Sequence, residues 1–95
     1  MHKTENFSLT NNLDVSAIKE TSVGGAYYAL VKISLLGMDN YGILTLGGGY
    51  SFESVGGNIS DAIELFELVV NDAPAVEHMF DIVSDFRREK MIDEL

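Results

Sequence analysis

The chain contains no cysteine. That excludes disulfides, thiolate metal sites and a cysteine nucleophile. Small secreted domains often rely on disulfides, so the absence favours a reducing cytoplasm. Basic residues are scarce: six Lys and Arg stand against fifteen Asp and Glu, for a formal net charge of −9. Such a charge repels phosphate backbones and anionic lipid surfaces, so the expectation is no nucleic-acid partner and no membrane partner. The bases Lys3, Lys19, Lys32, Arg87, Arg88 and Lys90 cluster only at the last three, where Glu89 interrupts them. Tyr27 and Tyr28 therefore lack the positive groove that accompanies a base-stacking platform. The longest apolar stretch, Ala26 to Gly37, is broken by Lys32 and Ser34 and is too short to cross a bilayer as a helix. The opening Met1-His2-Lys3-Thr4-Glu5-Asn6 is polar and leads into no apolar segment. This start predicts no secretion signal and a cytoplasmic location.

What is present divides the chain near residue 59. All nine glycines lie between Gly24 and Gly57, and the single proline is Pro74. Before the division the pattern is that of strands. Leu13, Val15 and Ala17 alternate with Asp14, Ser16 and Ile18. Ala26 to Leu36 follows, with Tyr27, Ala29, Val31, Ile33 and Leu35 as an unbroken apolar face opposite Lys32 and Ser34. Gly37-Met38-Asp39-Asn40 reads as a tight turn, then 41–46 and 50–55 as strands around Gly47-Gly48-Gly49. Short turns between successive strands imply an antiparallel meander.

Beyond the division the period becomes helical. Ser60 is positioned as an N-cap, and Ala62, Leu65, Phe66, Val69, Val70 and Ala73 share one face. Asn71 to Pro74 breaks that helix, with Asp72 as the expected cap of the next and Pro74 in its first turn. In the second helix Val76, Met79, Phe80, Val83 and Phe86 align, and then Arg87 and Lys90 rotate onto the same face. Packing is therefore expected only to about Phe86, with projecting last turns. The whole chain, 1–95, reads as a single α+β domain. Residues 1–12 are expected to be loose, 13–59 form a meander of three or four strands, and 60–95 form two helices on one sheet face. On this reading Tyr27, Val31 and Ile33 are buried with Phe66, Val69, Phe80 and Val83.

Tyr41-Gly42-Ile43 in a strand, Ile59-Ser60-Asp61 opening a helix, and the series His78, Asp81, Val83, Asp85, Phe86 carry a resemblance. Over residues 41–86 the chain resembles a family of short bacterial proteins, mainly from anaerobic Gram-positive species, described as a domain of unknown function. The resemblance implies a bacterial intracellular protein and no particular activity.

Candidate sites follow from the helices. Glu77, Asp81, Asp85 and Glu89 recur every four residues on the last helix, continuing to Asp93. Like charges at that spacing cost a few tenths of a kcal/mol per pair, so the row suits either a docking face for a basic partner or an ordinary solvated face. His78 lies three residues before Asp81 and seven before Asp85, and His-x-x-Asp at helical spacing offers a metal two ligands. A closed structural site wants four, so the expectation is no metal and no cofactor. Gly47-Gly48-Gly49 runs into Tyr50-Ser51-Phe52 rather than Gly-Lys-Ser/Thr and a helix, so it reads as a hairpin turn and not a phosphate loop. No Gly-x-Ser-x-Gly elbow is present, and no enzyme is expected. Leu68 on the polar side of the first helix, and Met91, Ile92 and Leu95 past the packing face of the second, are apolar residues without an evident place in the core. Together with the acid row they are the predicted contact residues of a non-enzymatic interaction module. The partner is a basic protein or a second copy of the chain, and a metal or small-ligand role at His78, Asp81 and Asp85 is the alternative.

Overall fold

A computed structural model describes residues 13–93, with side chains as far as Met91. Four strands run in order, β1 (Leu13–Val23), β2 (Ala26–Leu35), β3 (Met38–Leu46) and β4 (Tyr50–Gly56), and pair as neighbours in one antiparallel meander. Two helices follow, α1 (Ile59–Asp72) and α2 (Met79–Asp93), the second entered through a 3-10 turn at Val76–His78. The α+β class, the meander and the division near residue 59 are as the sequence implies.

Two of the turns are set by backbone handedness. Val23 pairs with Ala26 across Gly24-Gly25, and Leu35 with Met38 across Leu36-Gly37. All four loop residues have positive φ, the geometry that matches the twist of a two-residue hairpin. The expected turn at 37–40 is therefore shifted back by two residues, to 35–38, and Met38, Asp39 and Asn40 belong to β3. A bulge between Ala17 and Lys19 changes the register of β1, and another at Val55 turns that side chain into the core.

The helices cover the face that carries Tyr28 and Leu30 on β2, Tyr41, Ile43 and Thr45 on β3, and Val55 on β4. Against these lie Ala62, Leu65, Phe66 and Val69 of α1 and Met79, Val83 and Phe86 of α2. This corrects the expected core. Tyr27, Val31 and Ile33 share the opposite face, where Tyr27 and Ile33 are only half-buried. Both parities of β2 are apolar over 26–31, so alternation alone could not choose between them. Lys32 and Ser34, which marked the wetter face, stand on the covered face after Leu30. Phe80 is also outside the core, 63% exposed. It lies about 100° around the helix from Met79, and the half-buried Ile82 packs against the core instead.

Two caps differ from expectation. Asn58, not Ser60, caps α1, accepting a hydrogen bond from the Asp61 amide at 3.1 Å. Asp72 ends α1 rather than opening α2, and Ala73 closes α1 in the left-handed conformation at φ 48°, its N–H donating to the Val69 carbonyl at 2.7 Å. The link that follows is pinned to the sheet. The buried Tyr28 hydroxyl donates to the Pro74 carbonyl at 2.9 Å.

The expected loss of packing after Phe86 is also corrected. Arg87 donates to the Ser54 carbonyl of β4 at 3.2 Å. Lys90 lies 3.0 Å from Glu64 and 3.9 Å from Asp61 of α1, with its ammonium 5.4 Å from the centre of the Phe86 ring. Apolar packing ends near Phe86, but polar contacts hold α2 to the body for another turn.

Two stability changes follow. Tyr28→Phe leaves the Pro74 carbonyl without its donor and is expected to lower the urea-unfolding free energy by about 1–2 kcal/mol. Thr45 is fully buried and its Oγ1 has no hydrogen-bond partner among the described residues. Thr45→Val keeps the shape and removes the unpaired hydroxyl, so the same titration is expected to show a gain of about 1 kcal/mol.

Candidate functional site

With the helices on one side, strand register defines what lies on the other. The open face consists of Leu13, Val15, Ala17, Glu20 and Ser22 from β1 and Tyr27, Ala29, Val31, Ile33 and Leu35 from β2. Met38, Asn40, Gly42, Leu44 and Leu46 come from β3, and Tyr50, Phe52 and Ser54 from β4. Glu20 is the one charged residue among these positions. Its carboxylate accepts a 2.7 Å hydrogen bond from the Tyr27 hydroxyl, which pushes the Tyr27 phenol above its ordinary pKa.

Ala29 and Val31, buried at the middle of the face, are separate from the cluster that the helices cover. Around them the larger side chains stand open: Val15 is 58% exposed, Met38 75% and Tyr50 77%. At the β2–β3 end, Ile33, Leu35, Leu36, Met38 and Phe52, with the polar Asp39, Asn40, Tyr41 and Ser54, line an open hollow of about 460 Å³. Its lining is mostly apolar, and no His or Cys is in it. Such a surface removes apolar area from water on contact.

Phe52 is positioned by a missing side chain. Its ring lies over Gly42, one diagonal away across β3 and β4, so closely that a methyl group at Gly42 would overlap it. The glycine thus lets an aromatic ring lie flat on the sheet.

The residues singled out in the sequence are distributed elsewhere. Glu77, Asp81, Asp85 and Glu89 are exposed on the helical layer, and Asp85 pairs with Arg88 of its own helix at 3.2 Å. His78 is exposed in the 3-10 turn, and among the described residues no three His, Cys, Asp or Glu stand together as a metal site. Leu68 is 52% exposed and borders a groove of about 430 Å³ between α1 and α2, with Pro74, Ile82, Asp85 and Glu89. Met91 is exposed, while the Ile92 side chain and Leu95 lie outside the described residues. The structure thus brings Leu68, Asp85 and Glu89 to one groove and leaves Met91 apart from them. The sequence reading missed Val15, Met38, Tyr50 and Phe52. Their signal was an excess of apolar strand faces over the helix available to cover them.

No helix among the described residues is long and apolar enough to cross a membrane. Gly42→Ala is expected to swing the Phe52 ring off the sheet at a cost of about 1 kcal/mol, with the fold retained. Changed Phe52 ring-proton shifts in the NMR spectrum would report the swing, and an unmoved ring would contradict the placement. No protein-family model, curated protein or solved structure matches the chain.

Proposed function

We propose that this chain is a non-enzymatic protein-contact module and that its working surface is the open sheet face. The observation that carries the reading is a four-stranded apolar face whose outward strand positions include one carboxylate, Glu20, with Asp39 in the lining of its hollow, in a chain of net charge −9. Charge is spread over the rest of the molecule and withheld here, as in the interior of a protein–protein contact. Exposed apolar area of this extent marks contact surfaces in soluble proteins. The acid row on α2 and the groove at Leu68 form a second surface, whose charge sets which partners are repelled. A metal-dependent role at His78, Asp81 and Asp85 has no group of three His, Cys, Asp or Glu behind it among the described residues. The resemblance over 41–86 and the absence of cysteine support a bacterial cytoplasmic setting.

The test is site-specific photo-crosslinking in living cells, with the reactive residue placed at Val15, Phe52 or Asp81. Discrete protein adducts are expected from Val15 and Phe52. Adducts from Asp81 alone would move the working surface to the acid row and defeat the reading.

A further inference from the structure

We infer that the open face pairs with the same face of a second copy, giving a two-fold dimer of four layers: helices, sheet, sheet, helices. The inference rests on the contact-surface reading above and names the partner.

Charge chooses among partners. A basic protein would find two carboxylates on this face, Glu20 engaged with Tyr27 and Asp39 hydrogen-bonded by Ser34, whereas the helical layer offers it Glu77, Asp81, Asp85 and Glu89. The face suits an uncharged apolar surface, and the chain carries one of matching size. Two copies of charge −9 repel if their acid rows approach. Face-to-face packing places those rows on the two outermost layers. Layers about 10 Å thick then separate them by several Debye lengths, about 8 Å each at physiological salt.

Size agrees as well. Strands of 7 to 11 residues at about 3.4 Å per residue, four abreast at about 4.8 Å, cover roughly 600 Å² in projection. The accessible surface of a corrugated face exceeds its projection. That brings it near the roughly 800 Å² that each partner contributes to a standard interface. The described body is 19 Å across its thinnest direction, two layers rather than three. Strand β2 then has its explanation: Ala26 to Val31 is apolar on both parities, the composition of a strand buried on both faces.

The pairing also differs from one through the end of α2. There Lys90 is engaged with α1, and Met91 is the exposed apolar side chain among the described residues.

The test uses the full chain in sedimentation equilibrium from nanomolar to high micromolar concentration. A dimer is expected. Phe52→Glu is expected to raise its dissociation constant by about tenfold or more, with unchanged circular dichroism. Met91→Ser is expected to leave it within about twofold. Should Phe52→Glu fail to fold, spin labels decide instead, because the chain has no cysteine of its own to compete. Tyr50→Cys and Asp81→Cys are labelled separately. The inter-chain distance is expected to be shorter at Tyr50 than at Asp81. A dimer weakened by Met91→Ser but not by Phe52→Glu, or one with the shorter distance at Asp81, overturns the inference. A monomer at every concentration overturns it too. If Val15 and Phe52 then still crosslink to a different protein, the contact-surface reading survives and only self-pairing falls. If neither position crosslinks, both fall.

Discussion

A β-sheet has two faces, and this chain has helix enough for one. Both faces of the central strands β2 and β3 are apolar, so the side on which the helices settle decides almost everything else. On that side Tyr28, Leu30, Tyr41, Ile43 and Val55 meet Ala62, Leu65, Phe66, Val69, Met79, Val83 and Phe86. Fully burying a side chain of this size contributes about 1.5–3 kcal/mol, and that drives the two layers together. The other side keeps Val15, Met38, Tyr50 and Phe52 exposed to water.

The choice of face is fixed by directional contacts. The Tyr28 hydroxyl reaches the Pro74 carbonyl, so the centre of the sheet holds the link between the helices. Ala73, forced left-handed, turns the chain out of α1 at that point. At the other end Lys90 ties α2 to Asp61 and Glu64, and Arg87 ties it to the backbone of β4. Lys19 beyond the β1 bulge approaches Glu67 of α1 at 3.6 Å, which places the edge strand under the same layer. Exposed pairs of this kind are each worth little, about 0–1 kcal/mol, but together they set orientation where apolar contact alone is permissive.

Strand and helix periods were legible in the sequence because each is local. Glycines at 24, 25 and 47–49 marked their turns and the apolar stripe gave α1 within about a residue, whereas β1 runs on to Val23 past the expected 13–18 and β3 begins at Met38 rather than Tyr41. The core was half legible. The helix side of it, Leu65, Phe66, Val69 and Val83, follows from a 3.6-residue period with charges opposite. The sheet side does not, because Tyr27-Tyr28 and Leu30-Val31 offer equal apolarity to either face, and only tertiary contact separates them. Lys90 misled for a related reason. A lysine on a packing stripe looks like the end of packing, yet its ammonium lies over the Phe86 ring and reaches acids on another helix. The open face could be found only by comparing apolar strand area with the helix available to cover it.

The claim on which this account turns is that Leu30, not Leu35, faces the helices. Urea unfolding of Leu30→Ala and Leu35→Ala, side by side and at high dilution, measures it directly. Leu30 is fully buried and Leu35 is 50% exposed. The account predicts a loss of about 2–5 kcal/mol for Leu30→Ala and less than about 1 kcal/mol for Leu35→Ala. Equal losses, or a larger one at Leu35, would contradict it.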